Sequence, residues 1–307
     1  MMTIDWGTVA QGSLEQGLFY AIMALGVYIT FRILDFPDLT VDGSFTTGAS
    51  IAAVMITHGV SPLLATLAAF AGGAVAGLVT GLLHTKGKIN ALLSGILMMI
   101  ALYSINLRIM GKATISLFGS EVLLDKELIL YILPIVVVAI KLALDWFLHT
   151  ELGLALRATG DNKRMIRSFG VNTDNTIILG VSLSNGLVAL SGALFAQYLE
   201  FSDMQMGVGM IVIGLASVII GEALFGAKTI IRATFAVVLG AIIYRFVVAI
   251  ALQVGLESTD MKLMTALIVV IALTLPKIQG SLKQRAVIRK RKAELAEKSG
   301  GVEHASH

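Results

Sequence analysis

Residues 62–83 read PLLATLAAFAGGAVAGLVTGLL, a run without one charged side chain and long enough to cross a bilayer as a helix. Comparable apolar runs occupy residues 18–34, 91–107, 128–147, 176–198, 206–225 and 230–252, with a shorter one at 261–275. None shows the in–out alternation of a barrel strand. In hydrocarbon, backbone N–H and C=O groups have no water to bond, so each run must satisfy its own backbone as a helix. The chain is 56% hydrophobic and 14% charged, which leaves too little polar surface for an ordinary soluble domain. The expected fold is therefore all-α: a polytopic membrane protein of about eight to nine transmembrane helices over residues 1–276, followed by a basic polar tail at 277–307.

The connectors carry charge in alternation. Arg32, Lys86 and Lys88, the loop after the fifth span, Lys228 and Arg232, and the tail with Lys283, Arg285 and Arg289 are basic. Glu200 with Asp203, and Glu257 with Asp260, are acidic. Positive residues concentrate in cytoplasmic loops, so the pattern predicts a cytoplasmic C-terminus and an outside N-terminus. The first residues lack the basic n-region of a cleavable signal peptide, and the first apolar segment is expected to be retained. Residues 110–127 are expected outside, with a short re-entrant helix around 114–124.

The chemistry-bearing motifs exclude much. With no cysteine there are no disulfides, thiol redox chemistry or cysteine-ligated metals, and the five histidines do not cluster at ligand spacing. No phosphate-binding loop or nucleophile motif stands in a credible context, so the chain is not expected to hydrolyse ATP. Its basic residues lie where topology explains them, and no nucleic-acid partner follows from them.

Two polar features inside apolar surroundings remain. The segment Asp42-Gly43-Ser44-Phe45-Thr46-Thr47 opens the second apolar run, at 39–57, with an acid, glycine and hydroxyls. Such a segment is costly against lipid, so it should face the protein interior, and its helix is a candidate for a break. Asp42 either caps its own helix or binds a cationic group in a cavity, and the cap asks for less geometry. Arg245 lies within the run 230–252, where a charge needs a partner or an interface: Asp42, Glu200, Glu222, a substrate carboxylate or the outer boundary. Ser94 and Asn185, with Asn90 and Gln197, read as interhelical hydrogen-bonding groups or pathway contacts. Glu222 reads as an interfacial ion-pair partner beside Lys228 and Arg232.

The stretch 150–172, TELGLALRATGDNKRMIRSFGVN, is the one long polar segment between apolar regions. It carries Arg157, Lys163, Arg164 and Arg167. Asp161 or Asn162 can cap a short helix that projects Met165, Ile166 and Phe169 to one side, with Gly170 as its stop. On pattern alone it is a solvated connector or a docking element. Its Thr150, Gly153, Ala158, Gly160, Asn162, Gly170, Val171 and Asn172 resemble, at the same spacing, the cytoplasmic loop of the branched-chain amino-acid and ribose permease family of ABC importers. The small-residue pattern from Asn185-Gly186 to Ser191-Gly192-Ala193 extends the likeness, and Gly170-Val171-Asn172-Thr173-Asp174 looks closer to the amino-acid branch.

That resemblance implies a coupling loop, a second permease subunit, two cytoplasmic ATPase subunits that carry ATP and Mg²⁺, and an extracellular or periplasmic solute-binding protein. With a single chain in hand, the second permease subunit is expected to be an identical copy. The pathway residues expected are Asp42, Ser44, Phe45, Thr46, Thr47, Ser94, Asn185 and Arg245, and no cofactor is expected on this chain. The solute implied is an amino acid, with a sugar or nucleoside as the alternative. A different mechanism, an ion-coupled secondary transporter working without partners, would have to use Asp42 as its membrane-embedded acid.

Overall fold

The computed structural model describes residues 6–123 and 128–253, together with helical residues 263, 265–268, 270 and 274. Most of the apolar run at 261–275 and the whole tail at 277–307 lie outside the described residues. In chain order the elements are α1 (Trp6–Val27), continued by a π-helical turn over Tyr28–Ile33, α2 (Thr40–Thr57), α3 (Pro62–Thr85), α4 (Ala91–Met110) and β1 (Thr114–Ser116). Then follow α5 (Ile129–His149), α6 (Glu151–Asp161), α7 (Lys163–Ser168), α8 (Thr173–Leu199), β2 (Phe201–Asp203), α9 (Met210–Phe225) and α10 (Ile230–Gln253). Six helical stretches among the described residues are long and apolar enough to cross a membrane. The more polar α2 and the shorter α9 join them, which gives eight bundle helices, in line with the eight to nine expected.

α8 is the hub. It packs against α1, α2 and α3 through small residues, because lipid tails give apolar side chains no reason to associate and close backbone contact has to hold the helices together. A Cβ on Gly48 of α2 would stand 1.9 Å from the Ala189 carbonyl oxygen, and one on Gly77 of α3 would stand 2.3 Å from that of Val181. Serines reinforce these approaches: Ser184 Oγ donates to the Gly26 carbonyl and Ser191 Oγ to that of Phe19, each at 2.7 Å.

Two helices begin inside this bundle. After the π-turn the chain folds back, with Leu34, Phe36 and Asp38 buried, and α2 starts beside Asn185, near the middle of α8. α2 itself is unbroken to Thr57. The irregularity expected within the second apolar run therefore lies just before it, at 34–39, where Pro37 has no N–H to give a helix and Asp38 caps the next one. Likewise the chain after β2 returns inward, and α9 starts at Met210, after a left-handed Gly209 and four residues later than the apolar pattern suggested.

The re-entrant helix expected at 114–124 is absent over the described part, residues 114–123. Thr114, Ile115 and Ser116 instead pair antiparallel with Asp203, Ser202 and Phe201. A β-branched alternating triplet with Ile115 buried between two exposed hydroxyl residues suits a short strand, and the partner strand lies about ninety residues away, invisible to local pattern. The β1–β2 strand pair marks one end of the bundle, and α6 with α7 marks the other.

Replacing Gly48 by Val should force α2 off α8 and cost about 1–3 kcal/mol. Gly12→Ala, where an added Cβ meets nothing within 4 Å, should be neutral or slightly stabilising. Thermal melts of the detergent-extracted protein compare the two.

Candidate functional site

At the loop end, Thr150 caps α6 by accepting from the Gly153 N–H at 3.3 Å. α6 buries Gly153, Leu156 and Thr159, and Gly160 presses on the carbonyl of Ile33, where a Cβ would stand 1.8 Å from the oxygen. The Thr159 and Thr176 hydroxyls bond at 2.9 Å. α6 is thereby fastened to the end of α1 and the start of α8.

α7 is the opposite case. Of the two possible caps, Asn162 takes the role: its Oδ1 accepts from the N–H groups of Arg164 and Met165 at 3.1 and 3.0 Å. None of the helix's own residues is buried. Met165 is 46% and Phe169 74% exposed, Ile166 is half-buried, and Gly170 at φ +85° ends the turn. Lys163 and Arg164 are exposed beside them. Arg167 turns back, donating to Thr173 Oγ1 at 2.6 Å and pairing with Asp174 at 3.3 Å, and so braces α7 against α8. Arg157 and Asp161 lie elsewhere, on the wall of a cavity of about 670 Å³ shared with Arg32, Asp35, Glu222 and Lys228. Glu222 is an ion-pair partner there, but with Arg32 of the α1 π-turn, at 2.9 Å, while Arg232 donates to the Phe225 carbonyl at the end of α9.

The second site lies where α2 and α9 begin. Asp42 does not cap its own helix. That task falls to Asp38, whose Oδ1 accepts from the Thr40 N–H at 2.9 Å. Asp42 caps α9 from a distance: Oδ2 accepts from the Gly209 N–H at 2.9 Å and Oδ1 from the Ile211 N–H at 2.8 Å. Thr46 Oγ1 accepts from the Gly207 N–H at 3.1 Å. Asp42 and Thr46 also line a half-open cleft of about 470 Å³ with Met99, Tyr103, Asn106 and Met204.

Of the eight residues expected on a pathway, only Asp42 and Thr46 reach this cleft. Ser44 donates to Asn185 Oδ1 at 2.7 Å, and Asn185 Nδ2 to Asp38 Oδ2 at 2.7 Å, which ties α2 to α8. Thr47 and Ser94 bond their own helix backbones, and Phe45 is fully buried near Phe195. Arg245 sits over the Tyr20 ring at 5.8 Å, while the acids Asp42 and Glu222 are engaged elsewhere.

One cluster went unread in the sequence. Lys141 pairs with Asp145 in the interior, and Asp145 Oδ1 accepts from the Thr234 hydroxyl of α10 at 2.6 Å. The signal was available: opposite charges four apart within an apolar run, one face of one helix.

A profile of the family described as branched-chain amino acid transport system permease components matches residues 10–274. The chain belongs to that family. It is an ABC importer permease subunit and a multi-pass membrane protein. The permease is 52% identical over 272 residues to the tyrosine transport system permease protein of Clostridioides difficile, covering 88% of this chain and 92% of that one. It is 27% identical over 271 residues to the ribose import permease protein RbsC of Escherichia coli, covering 84% and 82%. Among solved structures it resembles a chain of PsaBC from Streptococcus pneumoniae in complex with Fab, with a TM-score of 0.52 at 15% identity, covering 85% of the permease and 90% of that chain. This last likeness is one of fold.

Asn162→Ala should cost α7 about 1 kcal/mol and speed hydrogen exchange at the Arg164 and Met165 amides, with the bundle unchanged. Asp145→Ala leaves Lys141 buried without its partner and should destabilise the fold by about 3–5 kcal/mol, read as a large fall in melting temperature.

Proposed function

We propose that this permease is the membrane subunit of an ATP-driven importer that moves an amino acid into the cell. Two copies of the chain enclose the pathway, two ATPase subunits carrying ATP and Mg²⁺ dock on the α6–α7 loops, and an extracellular or periplasmic solute-binding protein delivers the solute. The observation that carries the reading is α7: a capped helix whose apolar residues, Met165 and Phe169, are exposed among basic ones while its neighbour α6 is firmly packed. An exposed amphipathic turn of this kind suits a hydrophobic groove on a partner.

Force applied to α7 passes through Arg167 to the start of α8, and through α6 to the end of α1. Arg32, Arg157 and Lys228 gather at this same end, which favours a cytoplasmic loop face and, since α1 runs toward it, an outside N-terminus. The chain itself binds no nucleotide in this scheme. The amino-acid assignment draws on the 52% identity to a permease named for tyrosine, and a sugar is the second reading, drawing on the 27% identity to one named for ribose. Against an ion-coupled transporter working without partners stands the chain's membership of the ABC importer permease family.

The test is to purify the tagged permease from its native membrane and identify what accompanies it. An ATPase should copurify with the unaltered chain. Phe169→Asp and Arg164→Glu should leave expression and melting intact, weaken that association, and lower ATP-dependent uptake by tenfold or more. Normal uptake in both variants would defeat the proposal.

A further inference from the structure

The cleft between α2, α4 and the start of α9 has a chemistry of its own. Asp42 is the only formal charge among the described residues that line it. The positive end of α9 offsets that charge by only about half a unit, so the cleft stays negative. Asn106, wholly buried, lines it as well: its Nδ2 donates to the Gly43 carbonyl at 3.3 Å, while its Oδ1 has no hydrogen-bond partner. The remaining wall is largely apolar and polarizable, with the thioethers of Met99 and Met204, the side chain of Ile100 and the ring of Tyr103, interrupted by the hydroxyl residues Thr46 and Ser104.

The mouth opens beside Ile100 and Tyr103 of α4 and Val208, which are 59%, 56% and 56% exposed. A cleft that holds a carboxylate is costly to open onto lipid, which favours water or another polar surface against this face of α4.

We infer that this cleft is a solute subsite for a primary ammonium group carried on an apolar or aromatic body, with Asp42 as counter-charge and Asn106 Oδ1 as acceptor. An ammonium has three donors and no acceptor, which suits an unpartnered carbonyl oxygen in the same cleft as a carboxylate. Thioethers beside a ring favour an aromatic side chain. The cleft volume of about 470 Å³ falls in the range of small-molecule sites. Because Asp42 also holds Gly209 and Ile211, an ammonium there shares the carboxylate with the α9 N-terminus, which keeps the site weak enough to release its solute. The inference rests on reading the chain as a permease for a small solute and names the end of the solute it recognises.

The chain has no cysteine, so a single thiol can report on the cleft. In liposomes holding the full-length Tyr103→Cys permease, a cationic aminoethyl methanethiosulfonate should label that thiol faster than the anionic sulfonatoethyl reagent, by about tenfold beyond their ratio on N-acetylcysteine. Asp42→Asn retains an acceptor for α9 and should bring the ratio to within about twofold of that reference. L-Tyrosine and tyramine should slow labelling, and 3-(4-hydroxyphenyl)propionate, which lacks the amine, should not. A ratio no different from N-acetylcysteine, a preference that survives Asp42→Asn, no protection by the two amines, or equal protection by the propionate would each overturn the inference. Labelling needs neither ATP nor a partner protein, so its failure is distinct from loss of ATPase copurification, which bears on the importer reading alone.

Discussion

Backbone polar groups buried in a bilayer must be satisfied by the protein itself, and this fold places two helix beginnings where that demand is hardest to meet. The first N–H groups of a helix have no intrahelical acceptor. Two aspartates near one another in sequence answer for both helices. Asp38 accepts from Thr40 at the start of α2 and, through Asn185, fixes that start to α8. Asp42 accepts from Gly209 and Ile211 at the start of α9. The segment from Asp38 to Gly48 therefore joins three helices, and the interior cleft exists because α9 starts there and not at the bundle's end.

The two ends of the permease differ in how their polar groups are used. At the loop end they fasten: Thr159 to Thr176, Arg167 to Asp174, Arg32 to Glu222. The interior Lys141–Asp145–Thr234 cluster ties α5, the helix that leads directly into α6, to α10. What stays unfastened is the outer face of α7. Under the proposed docking of an ATPase, a push on this small exposed turn would be carried through the rigid attachments around it into whole helices. α9 spans the distance between the two sites, with Asp42 holding its start and Arg32 its end.

Local signals carried far in this chain. Apolar run length sufficed for the membrane class and most helices, and the cap chemistry of Asn162 with the left-handed Gly170 was legible because both act within a few residues. Asp42 shows the limit. Its position at the head of an apolar run suggested a cap, and it is one, but for a helix that begins 168 residues later, at Met210. Thr114–Ser116 shows it again, since nothing near the triplet reveals the strand at Phe201–Asp203. Among the expected pathway residues, Ser44 was expected to face the bundle and Asn185 to be an interhelical hydrogen-bonding group or a pathway contact. Ser44 donates to Asn185, which donates on to Asp38, and Met99, Tyr103, Asn106 and Met204 line the cleft unannounced.

By itself, the sequence determined that this protein lives in a membrane as a helical bundle, where one polar loop breaks the apolar pattern, and which short helix within that loop would stand capped and exposed. Hydropathy, charge bias and capping are one-dimensional properties, set by residues within a turn or two of each other. Tertiary structure alone decided that α2 and α9 start in the interior, which carboxylate serves which helix, and which side chains enclose a cleft. Those outcomes depend on which glycine meets which carbonyl across helices far apart in the chain, and spacing along one segment holds no record of that.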